Sequence, residues 1–267
     1  MAHLDEALAS LRSAHQEPSA HDWPWIEQGQ AEWLVHAPPS FAGQRQLMVR
    51  AIHERLMALS DRLGADAIDW ALHAMAQVPR EAFICPMIAE LAYLPAALDI
   101  GLDQVISHPE LVAVLAAAVA PRGGHVLDVG TGSGYQAAVL ARMADTVTSI
   151  EILEGHASLA RRRLAAIGAT NVEVIHGDAG APDVLPEDTY DAIVVAAGAS
   201  AIPAAILRAL KVGGRLVMPM GASASEEILV LTEKLSTGTL KQTHLRPARF
   251  VPLTGQGGRE QSGSMPV

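Results

Sequence analysis

From His125 onward, short apolar runs alternate with stretches of helical period. The runs His125–Gly130 (HVLDVG), Thr146–Glu151 (TVTSIE), Asn171–Asp178 (NVEVIHGD) and Tyr190–Ala196 (YDAIVVA) read as strands. Between the first three lie Tyr135–Met143 and Glu154–Ile167, which read as helices, the second closed by Gly168. A further helix over Ile202–Leu210 follows the fourth run and stops before Gly213-Gly214. Arg215–Met220 and Glu227–Thr232 read as strands again, and Arg249–Leu253 is the last strand candidate. Apolar strands alternating with helices predict an α/β fold with a mostly parallel, doubly wound sheet.

Ahead of this region the pattern is helical. Met48, Ile52, Leu56 and Leu59, then Ile68, Leu72 and Met75, recur at helical spacing over Gln46–Ala76. Val78-Pro79 ends that stretch, because proline disfavours helix in the residue before it. Glu81–Asp103 is mixed and carries Pro86 and Pro95. Glu110–Val119 reads as a short apolar helix, with Ser107 or His108 at its cap and Pro109 in its first turn. Residues 1–45 hold Trp23, Trp25 and Trp33 and show no sustained period after Leu4–Leu11. They read as an N-terminal extension that wraps or caps the body formed by residues 46–255. Residues 256–267 read as a loose tail.

Composition narrows the class. Hydrophobic residues make up 50% of the chain and charged residues 18%, enough for a large core and incompatible with global disorder. Nineteen Lys+Arg against 29 Asp+Glu give a net charge of −10. That balance repels phosphate backbones and argues against a nucleic-acid partner. The longest unbroken apolar run, Leu111–Pro121, falls short of the ~18–20 residues of a spanning helix. Met1–Glu17 has no apolar signal core. The single cysteine, Cys85, rules out an intrachain disulfide. These features suit a cytoplasmic protein that is not held to a membrane, expected here as a monomer.

The chemistry-bearing motif is Val126-Leu127-Asp128-Val129-Gly130-Thr131-Gly132-Ser133-Gly134. A strand runs into glycines at alternate positions and then into a helix, so the backbone turns tightly and comes close to a ligand. A dinucleotide site wants its third glycine one residue later, where this chain has Tyr135. The observed spacing suits S-adenosylmethionine, which has no pyrophosphate to cradle. Its amino-acid end would lie over Gly130, Thr131, Gly132, Ser133 and Gly134, with Asp128 meeting its ammonium group directly or through water. Glu151, at the end of the next strand, is placed to accept the ribose hydroxyls. Gly177-Asp178, at the end of the third, brings an acceptor for the adenine amine. Each feature alone has a plainer explanation, as a tight turn or a solvated acid. In this order they form one row along the carboxyl edge of the sheet.

The residues around that row carry a more specific likeness. Val78–Phe83, Gln104–Pro109, Asp128–Ala138, Lys211–Val217 and Arg249–Gly255 resemble the protein-L-isoaspartate O-methyltransferase family, a likeness spanning about residues 46–255. It implies a Rossmann-like class I methyltransferase fold. It also implies methyl transfer from S-adenosylmethionine to the free carboxylate of isoaspartyl residues in damaged peptides and proteins. By the same resemblance, Ser107 is the active-site hydroxyl that orients the substrate carboxylate. Gln104, Val105 and Ile106 share its loop and shape the substrate pocket, and Val251 and Leu253 meet the substrate peptide. Taken as bare residues, Ser107 is also a helix cap, and Val251 and Leu253 are also core candidates.

Two positions depart from the family pattern. Asp103 stands where the family has glycine, and Val105 where it has threonine. Asp103 places negative charge beside a pocket meant for a carboxylate. A second reading follows: an enzyme of this type that methylates an aspartate of one dedicated peptide to promote imide formation. A third is a cofactor-binding scaffold without catalysis, which the intact glycine loop, Glu151, Asp178 and Ser107 argue against.

Overall fold

The computed structural model describes residues 40–258. The Trp-rich segment up to residue 39 and the end of the tail, from residue 259, lie outside the described residues. Helix α1 (Phe41–Leu56) starts where Ser40 Oγ accepts the Gly43 N–H at 3.2 Å. The boundary expected at residue 45 therefore falls inside a helix. Met48, Ile52 and Leu56 form its buried stripe. The helical period expected over Gln46–Ala76 is broken by a 3₁₀ turn at Met57–Leu59 and by Gly64, at φ 85°. The pieces are the short α2 (Ser60–Leu63) and α3 (Ala65–Gln77), which buries Ile68, Leu72 and Met75.

Two strands that periodicity does not reveal follow. β1 (Leu98–Gly101) and β2 (Gln104–Ile106) pair antiparallel as a separate hairpin. Its turn residues, Leu102 and Asp103, both have left-handed backbones, at φ 55° and 57°. Helix α4 (Pro109–Val119) has Pro109 at its first position, and His108 is its cap. It packs between α1 and α3 on one side and the sheet on the other, and only Leu111 of its length escapes full burial.

The remaining elements are β3 (His125–Val129), α5 (Tyr135–Leu140), β4 (Thr146–Glu151), α6 (Glu154–Ala166), β5 (Val172–His176), β6 (Tyr190–Val195), α7 (Ala204–Ala209), β7 (Leu210–Met220), β8 (Ile228–Lys234) and β9 (Leu240–Pro247). They build a seven-stranded sheet of order β5-β4-β3-β6-β7-β8-β9. β3 to β7 run parallel, while β8 and β9 are antiparallel to their neighbours. Strand residues alternate between two cores. Val126, Ala192, Val194 and Val217 join α1, α3, α4 and α5 on one face. Leu127, Val129, Ile193, Val195 and Leu216 join α7 on the other.

The last strand differs from the sequence expectation. Arg249–Leu253 is not a sheet strand; the edge is β9, ahead of it. Residues 251–253 instead strap the end of β6 through two backbone bonds. Gly198 N–H donates to the Val251 carbonyl, and Leu253 N–H to the Gly198 carbonyl, both at 2.8 Å. Among the described residues no helix is long and apolar enough to cross a membrane.

Candidate active site

At the carboxyl ends of β3 and β4 the chain makes a tight, interlocked turn. Gly130, Gly132 and Gly134 sit at φ 89°, 50° and 93°, conformations that suit glycine and burden any other residue. The turn is tied down from below. Gly132 N–H donates to Glu151 Oε2 at 2.7 Å, and Leu153 N–H donates to Oε1 at 3.0 Å. Ser149 Oγ donates to Asp128 Oδ2 at 2.7 Å and lies 2.5 Å from Thr131 Oγ1. Since the Ser149 proton goes to Asp128, the Thr131 hydroxyl donates to Ser149.

A cleft of about 1250 Å³ opens above this turn. It brings together most of the residues singled out from the sequence. Gly130, Thr131, Gly132, Ser133, Glu151, Gly177 and Asp178 line one part of it. Gln104, Val105, Ile106, Ser107, Val251 and Leu253 line the rest. Two residues stand outside. Gly134 caps α5, and a Cβ there would press on Ala160 and Phe83. Asp128 is fully buried beneath the loop, has no cleft face, and holds the turn through Ser149. Burial pushes its carboxyl up to about 7, and the negative charge of Glu151 adds to the rise.

The hairpin roofs the cleft. Ile100 Cδ1 is 3.6 Å from where a Cβ on Gly132 would stand. The Gly101 carbonyl lies 3.1 Å from His156 Nε2 on α6, which anchors the hairpin tip to the far wall. Asp178 closes the opposite side. Its two oxygens accept the Gly180 N–H at 2.8 Å and the Gln256 N–H at 2.9 Å. The C-terminal strap is thereby pinned beside the third strand end. Each oxygen of Glu151 and of Asp178 takes one backbone donor, and a carboxylate oxygen has room for a second. A ligand carrying hydroxyl or amine donors fits that supply.

The Ser107 loop is held by residues to which the sequence reading assigned no role. Arg80, fully buried, donates from Nη2 to the Ser107 carbonyl at 2.8 Å and from Nε to the Ala92 carbonyl at 2.7 Å. Glu110, buried in the first turn of α4, pairs with Arg246 of β9 and, at 3.4 Å, with Arg55 of α1. The signals were present in the sequence: Arg80 lies inside the family-like Val78–Phe83 run, and Glu110 is an acid in an otherwise apolar helix. His108 Nδ1 accepts the Glu110 N–H at 3.2 Å, so its proton sits on Nε2. Burial drives the His108 imidazole down to about 4, which keeps it neutral and makes it a weak base.

Comparison with known proteins agrees with this arrangement. The family model described as Protein-L-isoaspartate(D-aspartate) O-methyltransferase matches residues 51–258. Protein-L-isoaspartate O-methyltransferase 2 of Pelobacter propionicus is 44% identical over 223 residues, covering 82% of this chain and 96% of that protein. The Bordetella petrii protein-L-isoaspartate O-methyltransferase is 46% identical over 225 residues, covering 81% of each. Among solved structures, a protein-L-isoaspartate O-methyltransferase superposes with a TM-score of 0.65 at 27% identity, covering 80% of this chain and 67% of that one. A Plasmodium falciparum protein of the same name, in complex with S-adenosyl-L-homocysteine, gives 0.61 at 23%, covering 74% and 97%, a likeness of fold. With the family match spanning nearly all of the described body, and relatives this similar along most of their own length, the chain belongs to the protein-L-isoaspartate(D-aspartate) O-methyltransferase family.

Proposed function

We propose that this protein transfers a methyl group from S-adenosylmethionine to the free carboxylate of L-isoaspartyl residues in damaged peptides and proteins. Membership of the family carries that reading. One feature of the cleft supports it further: the glycine turn, Glu151, Asp178 and the Ser107 loop all line the same cleft.

The chemistry asks little of the protein beyond placement. S-adenosylmethionine supplies an electrophilic methyl group on a sulfonium. An acceptor carboxylate has an ordinary pKa near ~4 and is ionised at neutral pH, so it needs no general base. His108, neutral and already capping α4, is not called upon. Ser107 would donate its hydroxyl hydrogen to one acceptor oxygen and leave the other free to meet the methyl carbon. Glu151 takes ribose hydroxyls and Asp178 the adenine amine. The hairpin above Gly132 and the strap at residues 251–256 keep water from the reacting oxygen. Asp128 serves from beneath, holding the turn's shape.

The dedicated-peptide reading is not favoured, because the similar relatives carry the isoaspartyl name. Action as a monomer in the cytoplasm, without a nucleic-acid partner, belongs to the same proposal, and the net charge of −10 supports its last part. The decisive experiment offers radiolabelled S-adenosylmethionine with paired isoaspartyl and aspartyl peptides. Label should enter the isoaspartyl peptide and leave in base as volatile methanol. Equal labelling of both, or of neither, would refute the proposed activity.

A further inference from the structure

The run Val78–Phe83 places a cation where none is expected. Arg80 is fully buried, and no carboxylate pairs with it among the described residues. An unneutralised buried charge is costly unless neutral dipoles surround it. Here they do. Its Nε donates to the Ala92 carbonyl at 2.7 Å, and its Nη2 to the Ser107 carbonyl at 2.8 Å and the Ala96 carbonyl at 3.5 Å. Its guanidinium lies 4.9 Å from the centre of the Tyr135 ring, a cation–π distance. Nearby, Tyr93 Oη accepts the Arg80 backbone N–H at 3.2 Å.

Two consequences follow from this position. Ser107 precedes α4, whereas Tyr135 immediately follows the glycine turn. The guanidinium therefore holds the acceptor loop by hydrogen bonds and only faces the Tyr135 ring on the donor side. In addition the positive charge is retained behind Ser107, although every contact named above could be met partly by a neutral amide. At His108, which burial first of all keeps unprotonated, Glu110 acts in the opposite direction to Arg80 and more strongly, but Glu110 is itself paired with Arg246 and Arg55. A carboxylate arriving at Ser107 would be attracted by the Arg80 charge, which has no carboxylate partner among the described residues, while the charge of Glu110 is met by those two arginines.

We propose that Arg80 is a positioning residue for the acceptor carboxylate, fixing Ser107 through its carbonyl and drawing the carboxylate by an uncompensated charge behind the loop. This rests on the isoaspartyl reading above and deepens it. Arg80 does not line the cleft; it acts on the acceptor side, through Ser107.

The test compares an isoaspartyl peptide with its isoasparaginyl analogue, in which an amide replaces the carboxylate. Both are titrated calorimetrically into the full chain saturated with S-adenosylhomocysteine. Wild type should prefer the carboxylate by about tenfold or more. Arg80→Met should bring the preference to within about twofold and leave S-adenosylhomocysteine affinity within about twofold of wild type. Arg80→Lys, which keeps the charge but loses the fork, should restore most of the preference while peptide affinity stays reduced. An unchanged preference in Arg80→Met overturns the assignment. So does an equal loss of peptide and S-adenosylhomocysteine binding, the mark of a merely structural residue. If the methionine variant does not fold, the lysine variant decides: loss of the preference with the charge kept overturns the assignment. Failure of wild type to bind or methylate the isoaspartyl peptide would count against the isoaspartyl reading instead.

Discussion

At the scale of the residue, burial separates side chains that look equivalent in the sequence. Asp128, Glu151 and Asp178 each lie at or near the end of a strand run, yet Asp128 alone has no face on the cleft. It lies one residue before the turn on a central strand whose two faces both point into core. Glu151 and Asp178 reach the rim. Ser107 is the residue on which the activity turns most directly. Its carbonyl is fixed by Arg80, so Ser107 lines the cleft from an anchored backbone. Replacing Ser107 by alanine removes a hydrogen bond to a charged group, worth about 1.5–3 kcal/mol. Turnover of an isoaspartyl peptide should fall by about tenfold to a hundredfold. Affinity for S-adenosylhomocysteine should stay unchanged, because no donor-side residue is touched. Steady-state kinetics paired with calorimetry checks both halves; wild-type turnover in Ser107→Ala would remove Ser107 from its assigned place.

At the scale of the element, what was legible followed periodicity. β4 occupies the run read from the sequence, and β3 and β6 stop one residue short of theirs. β3 and β6 are mostly apolar because both of their faces are buried, while β4 buries Thr148, Ser149 and Glu151 beside Val147 and Ile150. β9 was missed for the opposite reason: Leu240–Pro247 is an edge strand, largely exposed and polar, so no apolar alternation marks it. The Arg249–Leu253 run is apolar because it straps β6, not because it joins the sheet. The β1–β2 hairpin was hidden by its turn. Two-residue hairpin turns with both φ positive favour Asn-Gly, and here the pair is Leu102-Asp103. Leu102 is 64% exposed and Asp103 is also exposed, so packing does little to offset the left-handed backbone. A non-glycine residue there costs roughly 1 kcal/mol or more. Asp103→Gly should therefore raise the unfolding free energy by about 1 kcal/mol, part of the strain relief being lost to glycine's freedom in the unfolded chain. Urea unfolding measures it, and a variant less stable than wild type would show that the turn is relaxed as it stands.

For the whole molecule, the two cores and the carboxyl-edge site follow from alternating strands and helices, and that much the sequence made plain. The order of β7, β8 and β9 did not follow, since it depends on which edges pair and not on any one segment's pattern. The site also buries titratable groups whose opposing tendencies shape stability across pH. Asp128, ordinarily at 3.8, keeps its proton in the folded state up to about 7. Its contribution is full below about pH 4 and is lost as pH rises through 7. His108, ordinarily at 6.5, refuses a proton in the folded state until about 4. Its contribution is full above about pH 6.5 and is lost as pH falls toward 4. Between these limits the two slopes oppose each other, amounting to roughly 4 kcal/mol for Asp128 and roughly 3 kcal/mol for His108. Their sum should leave the wild-type protein nearly indifferent to pH there, as far as these groups are concerned. Single substitutions unmask the terms. Relative to wild type, Asp128→Asn should gain stability as pH rises from about 4 to 7, whereas His108→Asn, which keeps a cap acceptor for α4, should lose it over about 4 to 6.5. Urea unfolding of the three proteins across that range reads the differences directly, so groups common to all of them cancel. Parallel curves would mean that neither group carries a folded-state proton affinity different from its unfolded one, as hydration of both sites would produce, and opposite signs would mean that the folded state favours the charged forms.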